Sequence, residues 1–382
     1  MRVKPNRVSE QIIMRLTSLD FFRGVTVAAM IMVNDPGSWQ IKYYQLSHAT
    51  WEGCTITDLI FPFFLFIVGV SIALAFGKAL TKGATKKLLL RKTIKRAAII
   101  FSLGLFLNLL PNFNLNEIRI PGVLQRIALV YLFCSILFLY ASKKSQLIWF
   151  GGILIGYYII MMYVPVPGIG PSNLEPTNNF SAWFDRLILE GYIGSHGQGQ
   201  YDSTGIFTTI PAIASGLMGV FIGHLLERKD IEIEVKLIWM FIIGCTFLML
   251  GWAFSYEFPM IKRLWTSSYV LFTSGIAVIC FAASYWFLDV QKYQKGIKPF
   301  IAFGTNALTA YFVAGIFGKL ITSNQFISFN GGKISPKEWF YNEVLTAVFN
   351  PYNASFAYSI LYTLLIFILI WYMYKKNIFI KV

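Results

Sequence analysis

His48 and Asp58 stand ten residues apart, on either side of the point where the chain turns apolar. They belong to the run His48-Ala49-Thr50-Trp51-Glu52-Gly53-Cys54-Thr55-Ile56-Thr57-Asp58-Leu59-Ile60-Phe61-Pro62. An imidazole can take a proton from an attacking amine or hydroxyl, and a carboxylate beside it can fix which ring nitrogen carries the proton. Asp58 suits the second role, and Glu52 is also near in sequence. Plainer readings stand next to these. Thr57-Asp58 also suits a helix cap, and a loop histidine is often only solvated. Trp51 and Glu52 fit either a sugar platform or an ordinary interfacial pair.

Further polar residues interrupt the apolar stretches. Asp20 and Arg23 in Ser18-Leu19-Asp20-Phe21-Phe22-Arg23-Gly24 are three apart, hence neighbours on one helix face. They read as a paired charge at a membrane rim or as an anchor for a phosphorylated ligand. Asn34 lies eleven residues further, about 16 Å along a helix. The Asp35-Pro36-Gly37 that follows suits helix termination, whereas Asn34 could orient a carbonyl or an imidazole. Gln125 and Arg126 open another apolar stretch and need partners, for which Asp58 or Asp20 are candidates. Asp202, in Tyr201-Asp202-Ser203-Thr204-Gly205, and Trp265, in Arg263-Leu264-Trp265-Thr266, precede two more stretches. Asn306 is a lone amide within an apolar stretch, either helix–helix glue or a ligand contact.

The elements that must position these residues are transmembrane helices. The chain has 382 residues, 56% apolar and only 13% charged, well below the charge of a soluble domain. Apolar stretches of roughly 20 residues, each long enough to span a bilayer, begin near Leu19, Thr55, Thr93, Pro121, Leu147, Gly205, Leu237, Leu264, Pro299 and Phe356. The fold class is therefore an all-α polytopic membrane protein, a bundle of about ten transmembrane helices, forming a single domain over residues 1–382. Inverted internal repeats, which mark many transporters, are not evident. No disulfide framework or Cys/His metal spacing occurs among the four cysteines.

A net charge of +15 could indicate nucleic acid, but its placement indicates topology. Lys and Arg gather on alternate connections: Arg2 to Arg15, Lys78 to Arg96, Lys143-Lys144, Arg228 to Lys236, Lys292 to Lys298 and Lys375 to Lys381. These hold 23 of the 33 basic residues. By the positive-inside rule they face the cytoplasm, with both termini there and residues 1–16 as a cytoplasmic segment. Segments 166–203 and 322–355 are then the longer outer loops, the first either a lid or a plain connection. Trp339–Phe349 reads as a short interfacial helix.

Taken in order, RLTSLDFFRG at 15–24, Val33-Asn34, HATWEGCTITDLIFPFFLFIVGVS at 48–71, RIPGVLQRIA at 119–128, YDSTGIFTTI at 201–210, LWTSSYV at 264–270 and Gly304-Thr305-Asn306 resemble the heparan-alpha-glucosaminide N-acetyltransferase family. The resemblance runs from residue 15 to nearly the end. It implies a transmembrane acyltransferase that takes acetyl from acetyl-CoA on one side and places it on the amino group of a glucosamine-type sugar on the other. It puts the catalytic histidine at His48 and the asparagine of the Val-Asn pair at Asn34. The lysosomal members have a further luminal domain and one more span, so the expectation is a bacterial branch in the inner membrane, with the acceptor on the periplasmic side. They also have Pro-Glu in place of Ser203-Thr204 and His-Glu in place of Ala314-Gly315, which leaves the acceptor sugar open.

On this resemblance His48 is the general base, Asp58 fixes its tautomer and Asn34 donates to the thioester oxygen; a covalent acetyl-histidine is the competing route. Lys87, Arg91, Lys95 and Arg96 would receive the CoA phosphates, and Arg23, Asn34, Gln125, Arg126 and Asn306 would line the way through the bundle. Trp51, Glu52, Asp202 and Trp265 would meet the acceptor. Acetyl-CoA is the co-substrate, with no metal; the partners are the amino sugar or glycan, membrane lipids and, as family members can dimerise, a second copy. The rival readings are an O-acyltransferase of surface glycans and a transporter without chemistry.

Overall fold

The computed structural model describes residues 16–115, 118–194, 199–323, 327–329 and 332–380. Arg2, Lys4, Arg7, Arg15, His196 and Lys381 lie outside these. The helices are α1 Thr17–Asn34, α2 Ile56–Thr81, α3 Lys86–Leu109, α4 Val123–Tyr140, α5 Lys143–Tyr163, α6 Phe180–Ile188, α7 Ile206–Glu227, α8 Ile233–Phe254, α9 Ser267–Tyr285, α10 Lys298–Thr305, α11 Ala307–Ser323, α12 Pro336–Trp339 and α13 Pro351–Lys375. The strands described are a short antiparallel pair, β1 Ile327–Phe329 with β2 Gly332–Ile334. The protein is an all-α, multi-pass membrane protein.

Each of the ten expected stretches is helical, but they are not equivalent as spans. Among the described residues seven helices are long and apolar enough to cross a bilayer: α2, α4, α5, α7, α8, α9 with its extension to Val290, and α13. The pair α10–α11 is together long and apolar enough but is bent by 83° at Asn306, as a broken span or a re-entrant loop is. The other two, α1 and α3, fall short because they carry charge: Asp20 and Arg23 in the first, Lys92, Lys95 and Arg96 in the second. The expected loop at 78–96 is also mostly helix. Thr85 accepts from the Leu88 amide and starts α3 at Lys86, so Lys87, Arg91, Lys95 and Arg96 sit on its exposed first turns. The expected helix at 339–349 instead starts at Pro336, capped by Ser335 and Glu338, and its last turn ends at Leu345.

The centre of the bundle is α2 against α7. Of the most apolar window, 83% is buried in α7 and 61% in α2, against 22% in α8, which is peripheral. Their contact is backbone to backbone: a Cβ on Gly69 would stand 1.8 Å from the Gly216 carbonyl oxygen, and one on Gly219 would stand 1.9 Å from that of Phe66. Small residues permit such approach, and in lipid close packing of this kind holds helices together. α10 lies equally tightly on α1 through Gly24 and Gly304. The first amides of α1 have no partner in their own helix. Asp289, in the extra turn after α9, accepts from Thr17 N and Ser18 N at 3.0 Å each.

Candidate functional site

The site begins with how α2 starts. Asp58 Oδ2 accepts from Thr55 N at 3.0 Å and Thr55 Oγ1 at 3.1 Å, closing the first turn, and also from Ala49 N at 3.0 Å. Tyr269 donates its hydroxyl to the Asp58 carbonyl from α9. The other carboxylate oxygen, Oδ1, lies 2.7 Å from His48 Nδ1. The carboxylate is fully buried, while the His48 side chain is 40% exposed. The helix cap and the histidine partner are thus the same residue, one oxygen for each.

That geometry decides the tautomer. A carboxylate oxygen has no proton to give, so Nδ1 carries it and Nε2 keeps a lone pair. Lys262 Nζ lies 3.3 Å from Asp58 Oδ1, 2.8 Å from Nδ1 and 3.3 Å from Nε2. Nδ1 cannot also accept from Lys262 while donating to Asp58, so Asp58 is the acceptor for both. Partial burial lowers the imidazole pKa; the Asp58 hydrogen bond opposes this and the Lys262 charge adds to it. Cys54 is no rival nucleophile, as burial pushes its thiol up to about 12.

His48 opens on a cavity of about 470 Å³, within the range of small-molecule sites. Asn34 lines it from the end of α1, and no hydrogen bond among the described residues uses the Asn34 amide. The floor is apolar: Met30, Ile60, Phe61 and Trp265. Trp265 takes φ 54° and is 1% exposed. It stands edge-on to Phe61 at 5.2 Å, with its indole nitrogen donating to Ser215 Oγ. Tyr201, Ser203, Thr204 and Arg263 form another wall. Arg263 Nη1 donates to the Tyr201 hydroxyl at 2.6 Å.

The remaining expected residues do other work. Trp51 faces Tyr201 edge-on at 5.8 Å and donates to the Leu174 carbonyl, so it braces the 166–203 segment beside the cavity. Glu52 is exposed, and the carboxylate on the His48 ring is that of Asp58. Asp202 is 3% exposed and taken up by a two-pronged pair with Arg119 at 2.7 and 2.6 Å, with Thr204 added. Burial works against its charge, but these partners hold its pKa at about 2. Asp202 thus ties the segment to Arg119 before α4, and Asp185, which accepts from Ile206 N and Phe207 N, fastens it to the start of α7.

Of the residues expected along a path through the bundle, only Asn34 lines this cavity. Arg23 is held by Asp20 at 2.9 Å, Ser71 at 2.8 Å and the Gly304 carbonyl at 3.2 Å. Asn306 spends both amide atoms on the chain near Ile378 and Ile380. Arg126, 1% exposed, bonds to Thr208 Oγ1 and the Gly205 carbonyl and lies 4.8 Å over the Trp265 ring; neither Asp20 nor Asp58 reaches it. Its Nε and Nη1, and Nε2 of Gln125, have no partner among the described residues. Lys87, Arg91, Lys95 and Arg96 are exposed on α3 and do not line the cavity; Arg96 lies 5.0 Å over the Tyr131 ring of α4. Ala314 and Gly315 lie off the cavity, packed toward Tyr362 and Leu107.

Sequence reasoning missed Lys262 and Arg263. The available signal was two adjacent cations directly before the aromatic start of an apolar stretch, a place where charge needs a partner.

Residues 15–251 match the sequence model of the family described as heparan-alpha-glucosaminide N-acetyltransferase, catalytic. Two curated relatives bear that enzyme's name. The human protein is 31% identical over 351 residues, covering 78% of this chain and 52% of its own length. The mouse protein is 28% identical over 350 residues, covering 78% and 53%. The chain thus spans about half the length of the curated relatives it matches. With the histidine–aspartate pair and Asn34 inside the matched region, the chain belongs to the heparan-alpha-glucosaminide N-acetyltransferase family.

Proposed function

We propose that this protein is a transmembrane N-acetyltransferase, moving acetyl from cytoplasmic acetyl-CoA to the amino group of a glucosamine-type sugar across a bacterial inner membrane. The whole chain acts as one domain, with both termini cytoplasmic. The observation that carries the reading is the Asp58–His48 pair opening on a cavity that Asn34 also lines. His48 Nε2 takes the proton as the amine attacks the thioester carbonyl. The Asn34 amide donates to the oxygen on which negative charge builds. Collapse expels the CoA thiolate, which receives the proton from the imidazolium. Such a base contributes about 10² to 10⁴ in rate. Family membership supports the donor and the acceptor class, and the apolar floor of Phe61 and Trp265 suits the small acyl group.

The exposed basic turns of α3, which follow the end of α2 remote from Asp58, support cytoplasmic capture of CoA. The deciding experiment uses right-side-out vesicles loaded with labelled acetyl-CoA and a panel of impermeant amino and hydroxyl sugars outside. Labelled product should form outside on amino sugars only, free CoA should appear inside, and His48→Ala should form none. Product on hydroxyl sugars alone would replace the N-acetyl reading with O-acylation. Product only when donor and acceptor share a compartment would end the transmembrane reading.

A further inference from the structure

Lys262 occupies a position that acyl transfer by His48, Asp58 and Asn34 leaves unexplained. It lies in the turn between α8 and α9, in the cavity wall, and its side chain is only 19% exposed. Its Nζ is 3.3 Å from Asp58 Oδ1 and 2.8 Å from the nearer nitrogen of His48. A cation held against an imidazole is unfavourable unless the carboxylate is shared, and here it is.

A buried carboxylate 2.7 Å from Nδ1 favours a second proton on the ring. In a simple His–Asp pair that proton would occupy Nε2 in the resting enzyme and remove the lone pair that does the work. The charged groups facing this ring are Asp58 from α2, Lys262 from the turn before α9, and Lys42 from the loop after α1. One negative charge therefore faces two positive ones. We propose that Lys262 is a positioning residue: its ammonium neutralises Asp58 and repels a second proton from His48, so the ring is oriented by a carboxylate yet rests neutral.

This deepens the proposed function and rests on it only for the statement that the neutral ring is the base. The balance agrees. Burial lowers the imidazole pKa, Asp58 raises it, and the charges of Lys262 and Lys42 bring it down again. Lys262 is itself brought down to about 8 by burial, with Asp58 holding it up, so it keeps its charge at neutral pH.

The test reads His48 directly. The full chain is placed in nanodiscs with ring-¹³C histidine, the His48 resonance is assigned by its loss in His48→Gln, and titrations are compared for wild type, Lys262→Met and Lys262→Arg. The pH profile of kcat/KM is measured on the same samples. In Lys262→Met the His48 midpoint should rise by about one pH unit, the size of a single adjacent charge, and the acidic limb of kcat/KM should rise with it. Lys262→Arg, which keeps the charge, should leave both within a few tenths of a unit. A midpoint that stays or falls in Lys262→Met overturns the proposal. Should Lys262→Met not accumulate as folded protein, Lys262→Gln gives the same reading. A raised midpoint with an unmoved rate limb upholds the charge effect and removes His48 as the base, so the two failures are told apart.

Discussion

Replacing Asp58 by Asn separates the two duties of one carboxylate. Oδ2 closes the first turn of α2 by accepting from Ala49 N, Thr55 N and Thr55 Oγ1, while Oδ1 faces His48 and Lys262. An asparagine keeps the three cap bonds only by turning its oxygen toward them. Its amide hydrogens then point at the proton on Nδ1 and at the Lys262 ammonium, donor against donor. The ring can relieve this by moving its proton to Nε2 and accepting at Nδ1, and Nε2 then no longer accepts. The variant should lose the whole contribution of the base, about 10² to 10⁴ in kcat, or ~3 to 5 kcal/mol in the barrier. The cost to folding is smaller, about 1.5 to 3 kcal/mol for one charge-assisted bond. The assay is CoA release with an amino-sugar acceptor, alongside thermal unfolding and acetyl-CoA binding. If Asp58→Asn keeps more than a tenth of wild-type kcat while folded, the tautomer argument is wrong. If it does not fold, the cap has been undervalued relative to the histidine contact.

Three further outcomes follow from the same structure. Replacing Lys87, Arg91, Lys95 and Arg96 by Ala should raise KM for acetyl-CoA several-fold and leave that for the acceptor unchanged; an unaltered KM would make the basic turns of α3 a topology signal alone. Because the His48 pKa lies below its ordinary value, the neutral ring persists below pH 6.5, so the acidic limb of kcat/KM should have its midpoint under 6.5; a midpoint above it contradicts the electrostatics described here. Gly219→Leu should prevent the close approach of α2 and α7, because even a Cβ there meets the Phe66 carbonyl at 1.9 Å. Its melting temperature should fall well beyond that of Gly151→Leu, a position with open space around it.

The helices and the His48–Asp58 pair were legible in the sequence, because both depend on local order. Apolar runs mark helices wherever lipid surrounds them, and a Thr-x-x-Asp start places a carboxylate at the first turn. Partners contributed from far along the chain were not legible. Asp202 has a polar, substrate-like setting in sequence, yet Arg119, 83 residues away, takes both its oxygens. Asn306 suggested a ligand contact within a span, but a tail 72 residues downstream claims it. Lys262 reaches His48 across 214 residues. The span count of ten blurred for a different reason: α1 and α3 are helices of the bundle, but Asp20 and Arg23 in the first and Lys92, Lys95 and Arg96 in the second leave them less apolar than the other spans.

The carboxylate of Asp289 at the start of α1 also sets an order of events during synthesis. α1 is the first of these helices to leave the ribosome and presents Asn34 to the cavity, yet the acceptor for its opening amides lies 272 residues later. At about 5 to 20 residues per second, roughly 15 to 55 s separate the two. For that interval water or lipid headgroups must serve the amides of Thr17 and Ser18. That cap closes only once α9 has been made and the turn after it brings the Asp289 carboxylate to α1. The helix that carries Asn34 is therefore among the earliest parts made, while its opening amides are among the last to be capped.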